Sequence, residues 1–266
     1  MSASVLDAIM AGARRSALER ERRQRATVER QAGSASPQGA AFVSALARPG
    51  GQFIAECKRR SPSTGMLVRD YDPARIAGQY ESAGAAAISV LTEPSFFDGS
   101  LDHLRAVRAE VSIPLLRKDF IATEFQLIEA RAAGADAVLL IVAGLERDVL
   151  EELLAAATRL GLAALVEVHV PDEARLALDL GAVVIGVNSR DLQTLTVSSA
   201  VFDRIAPLMK PGVTWVAESG IRTPGDVRRV RGLGYAAVLI GERFMVSDDP
   251  GETLRQFIAQ AREGES

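Results

Sequence analysis

Five short stretches of this 266-residue chain close an apolar run with groups that carry or accept protons: Glu56-Cys57-Lys58, Arg117-Lys118-Asp119-Phe120, Glu167-Val168-His169, Asn188-Ser189-Arg190 and Glu218-Ser219-Gly220. Carboxylates and ammonium groups gathered in one cleft are the raw material of general acid–base chemistry. Mutual pairing offsets the cost of burying them and shifts each pKa. Strand side chains alternate in direction, so Glu56 shares a face with Lys58, Glu167 with His169, and Asn188 with Arg190. Ser219-Gly220 and Gly241-Glu242 suggest a second chemistry. Small residues after two successive strands let backbone N–H groups approach an anion, and a phosphate is the expected occupant.

Groups at strand ends need a scaffold that gathers those ends, and an internal repeat supplies one. Gly84-Ala-Ala-Ala-Ile-Ser-Val, Gly134-Ala-Asp-Ala-Val-Leu-Leu, Gly181-Ala-Val-Val-Ile-Gly-Val and Gly234-Tyr-Ala-Ala-Val-Leu-Ile are versions of one phrase, spaced by 50, 47 and 53 residues. In each, a helical pattern ends at a glycine able to take the left-handed cap conformation. A run that is apolar throughout follows, as expected of a parallel strand covered on both faces. Midway between the phrases lie strand candidates at 53–57, 114–117, 164–168 and 214–217, with amphipathic stretches such as 124–133, 147–160 and 223–233 between them. Eight strand–helix units with a fourfold repeat predict an α/β fold, a closed (β/α)8 TIM barrel, in preference to an open doubly wound sheet. Its catalytic face is formed by the C-terminal strand ends, where all five polar clusters fall.

Ahead of the barrel, residues 5–31 read as a helix with seven arginines against Asp7, Glu19, Glu21 and Glu29, and 32–39 as a Gly/Ser/Pro linker. Interleaved signs fit a solvated face better than a nucleic-acid arm. The expected division is residues 1–50 as an N-terminal helical extension packing on the barrel and 51–266 as the catalytic barrel. The segment 59–70, directly after Lys58, exceeds the usual ~2–6 residues of a βα connection and is expected to be a mobile lid.

Composition excludes several classes. One cysteine and two histidines leave no disulfide framework and too few ligands for a structural zinc site. A net charge of −3 argues against nucleic acid as a general partner, and no uncharged apolar run approaches the ~18 residues of a membrane span. No signal-peptide layout is present at the N-terminus, so a cytoplasmic protein is expected. Cys57 faces outward from strand one and is expected to be buried and inert. His103 falls in a helical pattern and reads as structural. His169, on the Glu167 face, has no such ready explanation.

With the strand ends in place, the order of motifs becomes specific. Phe53-Ile-Ala-Glu-Cys-Lys58, Ser61-Pro62-Ser63, Leu91-Thr-Glu, Phe97-Asp-Gly-Ser100, Leu116-Arg-Lys-Asp-Phe120, Leu165-Val-Glu167, Ile185-Gly-Val-Asn-Ser-Arg190 and Ala217-Glu-Ser-Gly-Ile221 resemble the indole-3-glycerol-phosphate synthase family. The resemblance implies ring closure of 1-(2-carboxyphenylamino)-1-deoxyribulose 5-phosphate to indole-3-glycerol phosphate, with loss of CO2 and water, in tryptophan biosynthesis. It assigns Lys118 as general acid, with a pKa expected to be lowered by burial and neighbouring cations, and Glu167 as general base. Lys58 would hold the substrate anion and assist dehydration, Glu56 and Glu218 would orient the lysines, and Asn188 and Arg190 would position substrate. Ser61 is a further expected substrate contact. Ser219, Gly220, Gly241 and the backbone N–H of Glu242 match the phosphate site, and Phe97 and Phe120 would pack on the anthranilate ring. No cofactor and no metal is implied. The expected partner is the small phosphosugar substrate, with other tryptophan-pathway enzymes as candidates, and neither nucleic acid nor membrane. Two rivals differ in what they require. A phosphoribosylanthranilate isomerase would want an inward Cys or Asp on strand one, and a non-catalytic phosphate sensor would not need Lys118 and Glu167 together.

Overall fold

The computed structural model describes residues 5–192 and 194–263. Eight parallel strands close into a barrel: Gln52–Cys57, Ala87–Leu91, Leu115–Lys118, Ala137–Ile141, Ala163–Val168, Val184–Asn188, Thr214–Glu218 and Ala237–Ile240, here strands one to eight. Strand one pairs with strand two, Ile54 opposite Ala87, and with strand eight, Phe53 opposite Val238, which completes the circle. The four midway strands form within a residue or so of their expected bounds.

The pleat sorts every strand into two layers. Ile54, Leu116, Leu139, Leu165, Val216 and Leu239 fill the barrel interior. Val90, Leu140, Val166, Val187 and Ala217 face the surrounding helices, together with Cys57. Strands covered on both sides need apolar residues at successive positions, which is why the repeat phrases do not alternate. Burial pushes the Cys57 thiol far above its ordinary pKa, in keeping with an inert outward cysteine.

Two helices precede the barrel. The first, Val5–Ser34, is about 45 Å long at ~1.5 Å per residue and reaches along the barrel wall. It runs through Ala32 and Gly33, so the linker shrinks from the expected 32–39 to 35–38. Val28 and Ala32 pack on Phe125 and Ile128 of the Glu124–Ala132 helix. On its exposed side Arg25 pairs with Glu29 at 2.8 Å, as the interleaved charges suggested. The second helix, Gly39–Leu46, is hidden in the sequence by its shortness and mostly apolar composition. Its Phe42, Ala45 and Leu46 join the cluster of strand-start residues Ala87, Ala163 and Ala237 and plug the barrel floor.

Segment 59–70 is folded back on itself by a two-stranded hairpin, Arg60–Ser61 against Gly65–Met66. Arg59 ties it to the loop after strand two through an ion pair with Asp98 at 2.9 Å. Among the described residues no helix is long and apolar enough to cross a membrane.

Asp136 fastens the floor. Its carboxylate, on a residue only 3% exposed, accepts from Gln38 N at 2.7 Å, Leu115 N at 2.9 Å and Arg108 Nη1 at 3.0 Å. One side chain thereby joins the linker, strand three and the helix before it. Removing a buried charge partner typically costs ~3–5 kcal/mol, so Asp136→Ala is expected to lose about that much in urea unfolding. Because Asp136 lies at the end opposite the polar strand ends, KM should stay within about twofold of the parent.

Candidate active site

At the C-terminal strand ends the inward positions change from aliphatic to charged. Lys118 Nζ, from strand three, lies 3.1 Å from Glu167 Oε2 of strand five and 3.1 Å from Glu218 Oε2 of strand seven. Lys58 Nζ, just past strand one, lies 2.7 Å from Glu56 Oε1. Both lysine side chains are mostly covered and all three glutamates are buried. These groups line a cavity of about 430 Å³ at the barrel mouth, together with Leu91, Leu139, Ile141 and Leu239.

Two glycines make room for the carboxylates. A Cβ at Gly186 would lie 1.9 Å from Glu218 Oε1, and one at Gly241 would lie 2.3 Å from Glu56 Oε1. Each carboxylate therefore rests over a neighbouring strand where a side chain is missing.

The electrostatics follow from this crowding. Burial pushes Lys118 towards the neutral form, but Glu167, Glu218 and Glu56 outweigh it, and its pKa is raised. The expected lowering is thus reversed, because the lysine's nearest charges are carboxylates and not cations. Burial also acts on Glu167, yet Lys118, His169 and a hydrogen bond from Asn188 hold its pKa below the usual carboxylate range. Glu218 goes the other way: burial and the nearby Glu167 charge exceed the pull of Lys118 and raise it to about 7. Its Oε1 is buried without a hydrogen-bond partner, the atom a proton would occupy. Lys118 is thus flanked by one carboxylate held towards its ionised form and one pushed towards its protonated form.

The remaining expected residues sit around this core. Asn188 is buried, and its Oδ1 accepts from Arg190 N at 3.0 Å. Arg190 is at the rim, 3.9 Å from Glu242 Oε2, with Nη1 donating to Leu195 O at 3.2 Å. Phe97 and Phe120 face each other with ring centroids 6.4 Å apart and form an aromatic wall. Ser219 and Gly220 both have left-handed φ, 62° and 69°, and line the cavity with Gly241 and Glu242. A left-handed serine stores ~1 kcal/mol or more of strain, and such strain clusters at ligand sites. Ser61 is the exception. It is buried in the hairpin turn, where its Oγ accepts from Thr64 N at 3.2 Å, and it is not among the residues lining the cavity.

Sequence reading missed several supports. Glu93 caps the short Pro94–Phe97 helix by accepting from the N–H groups of Ser95 at 2.8 Å and Phe96 at 2.7 Å, which fixes Phe97. Arg117 faces outward and is buried, with Nη2 donating to Asp119 Oδ2 at 2.8 Å and Nη1 to Gln126 O at 2.6 Å. Asp119 in turn accepts from Phe120 N at 2.8 Å, so Lys118 and Phe120 are braced from behind. Glu93 lay next to a Pro-led turn, a legible capping signal. Arg117 gave no comparable signal, because apart from nearby Asp119 its partners Thr92, Gln126 and Glu129 come from other segments. His103 packs edge-on against Tyr71, ring centroids 5.2 Å apart, consistent with a structural role.

Known proteins of similar sequence share one family description. The family model described as indole-3-glycerol phosphate synthase matches residues 6–257. Indole-3-glycerol phosphate synthase of Mycolicibacterium smegmatis is 49% identical over 257 residues, covering 97% of this chain and 94% of that protein. The enzyme of the same name from Saccharopolyspora erythraea is 49% identical, covering 96% of this chain and 95% of its own. Among solved structures, the N-acetylmannosamine-6-phosphate 2-epimerase of Clostridium perfringens superposes with a TM-score of 0.59 at 16% identity, covering 82% of this chain and 95% of its own. That likeness concerns the barrel fold alone.

The space above Gly186 yields a prediction. Gly186→Ala should displace the Glu218 carboxylate from Lys118 while leaving the chain folded. Misplacement by about 1 Å can cost ~100-fold, so a fall in kcat of roughly 10- to 100-fold is expected in steady-state assays, with circular dichroism unchanged.

Proposed function

The chain belongs to the indole-3-glycerol phosphate synthase family, and we propose that its barrel-mouth lysines and glutamates carry out that family's ring closure in the roles given below. The reaction converts 1-(2-carboxyphenylamino)-1-deoxyribulose 5-phosphate to indole-3-glycerol phosphate, CO2 and water, a carboxy-lyase step of tryptophan biosynthesis. The observation that carries the assignment of roles is Lys118, 3.1 Å from each of two buried carboxylates at the centre of the mouth.

The chemistry runs in two halves. In the first, the ring carbon bearing the carboxylate attacks the ketone carbon, and Lys118 Nζ gives its proton to the carbonyl oxygen. Loss of CO2 then returns the bonding electrons to the ring and restores aromaticity. In the second half Lys58 gives a proton to the new hydroxyl, which leaves as water while Glu167 takes the proton from the aniline nitrogen; loss of one proton from the neighbouring ring CH2 and return of one to nitrogen then complete the indole. Glu56 and Glu218 orient the two lysines, and Asn188 and Arg190 position the substrate. Phe97 and Phe120 receive the anthranilate ring by aromatic packing. The phosphate is held by backbone N–H groups of Ser219, Gly220, Gly241 and Glu242. No cofactor is needed, since decarboxylation is driven by rearomatisation.

Residues 59–70, tethered at Arg59, act as the lid that excludes water once substrate is bound. Residues 1–50 form the extension, whose described residues pack on the barrel, and 51–266 the catalytic barrel. A phosphorylated substrate carries charge that does not cross a membrane unaided, which supports a cytoplasmic location. Enzymes that supply this substrate and consume this product in the same pathway are the expected partners.

Lys118→Met is the direct test. A general acid contributes ~10²–10⁴-fold, so kcat for indole formation, followed by fluorescence, should fall by that factor while the folded chain still binds substrate. Near-parental kcat in a folded variant would remove Lys118 from the reaction.

A further inference from the structure

His169 lies between two carboxylates that belong to different elements. Its Nε2 is 3.4 Å from Glu167 Oε1, and its Nδ1 is 3.4 Å from Glu173 Oε2. Both ring nitrogens are buried, and neither makes a directed hydrogen bond at that distance. Glu173, in the first turn of the Pro171–Asp179 helix, is fixed by accepting from the His169 backbone N–H at 2.6 Å. A neutral imidazole would turn a lone pair on one nitrogen towards a carboxylate oxygen. Only the imidazolium presents N–H to both.

We propose that His169 is a positioning residue, a standing imidazolium that orients Glu167 through Oε1 and keeps it ionised while Lys118, on Oε2, is without its proton. This inference rests on the reading of Glu167 as the base. The logic is electrostatic. Glu167 is buried, and in the resting site it is held ionised chiefly by Lys118. When Lys118 gives its proton to substrate that support vanishes, and a buried carboxylate without a counter-charge takes up a proton. A Glu167 already protonated cannot accept the aniline proton in the second half of the reaction. The His169 charge is not consumed in either half, so it covers this interval.

The charges around the ring are consistent with that state. Glu167 lies on its own strand and Glu173 on the following helix, while Lys118 and Glu218 lie beyond Glu167 on strands three and seven. Strand six contributes neutral Asn188, and the turn Val142–Gly144 packed near the Pro171–Asp179 helix carries no charge. Burial lowers the imidazole pKa, but the two carboxylates outweigh it and raise it to about 10. His103, the other histidine, is lowered chiefly by burial.

Two measurements decide. With only two histidines in the chain, 15N spectra of histidine-labelled protein resolve both rings, and a His103→Gln variant assigns them. At about pH 8, where an ordinary histidine is neutral, His169 should show two protonated ring nitrogens. A neutral ring there would overturn the proposal without any activity assay. In His169→Gln, kcat should fall about tenfold or more with KM within about twofold, and the acidic limb of the kcat–pH profile should move up by ~1–3 units. A limb that stays in place while kcat falls uniformly would reduce His169 to packing. Glu167→Gln separates the two readings. If it leaves kcat intact the base assignment fails, whatever the state of the His169 ring.

Discussion

An ammonium group sits near the axis of the barrel with two buried carboxylates within 3.1 Å, and most of the mouth is arranged around that contact. Removing an unpaired ion from water costs several kcal/mol, so Lys118, Glu167 and Glu218 are tolerable there only together. They come from strands three, five and seven, and Glu56 with Lys58 comes from the end of strand one. In a barrel of this type alternate strands supply one layer, and here that layer at the catalytic face is the charged one. The even strands supply what the charges need: apolar Leu91 and Ile141, the neutral amide of Asn188, and Gly241 with no side chain. Gly186, one layer below Asn188, gives Glu218 its space in the same way.

The layer is stiffened from outside. Arg117 points away from the axis yet reaches both Asp119 and, at 3.7 Å, Glu129. Glu129 receives the Arg20 guanidinium at 2.6 Å from the first helix. Charges alternate along this chain from the extension to the end of strand three, so each buried member is neutralised by the next. A side chain held this way has little rotational freedom, which suits a lysine that must meet a reacting carbonyl within a fraction of an ångström. On the floor, Gly39–Leu46 closes the barrel with apolar contacts while Asp136 ties the chain entering it. One end is sealed by hydrophobic packing and the other is left to charge.

Parity made much of this legible in the sequence. With the apolar runs as strands, parity places Glu56 with Lys58 on one face at a strand end that the barrel turns towards its mouth, and the structure pairs Lys58 with Glu56 and Lys118 with Glu167 and Glu218 there. What parity cannot supply is which inward charges become nearest neighbours across the barrel. The sign of the Lys118 shift turned on that point, for cations beside it would have lowered a pKa that carboxylates raise. The short Gly39–Leu46 helix escaped because eight mostly apolar residues carry no helical period to detect. Arg20 and Glu129 are 109 positions apart, a pairing fixed by how a long helix lies on its neighbour and by nothing local. Ser61 shows the converse: it lies in a matching motif, yet its hydroxyl holds a hairpin turn and does not line the cavity.

A lysine with a raised pKa is at first sight a poor proton donor, and the resolution lies in the acceptor. A ketone oxygen in the ground state is far too weak a base to take a proton from any ammonium, so Lys118 can only donate a hydrogen bond to it. As the ring carbon closes on the carbonyl carbon, that oxygen becomes an alkoxide, more basic than an amine, and the transfer turns favourable late in bond formation. The carboxylates around Lys118 therefore do not abolish its acidity; they postpone it to the point where charge has developed on the substrate. Interactions that strengthen only as the transition state is approached are the ones that accelerate chemistry. Until that point the same ion pairs keep the ammonium aimed and charged among mostly covered groups, where fixed charges act more strongly than in water.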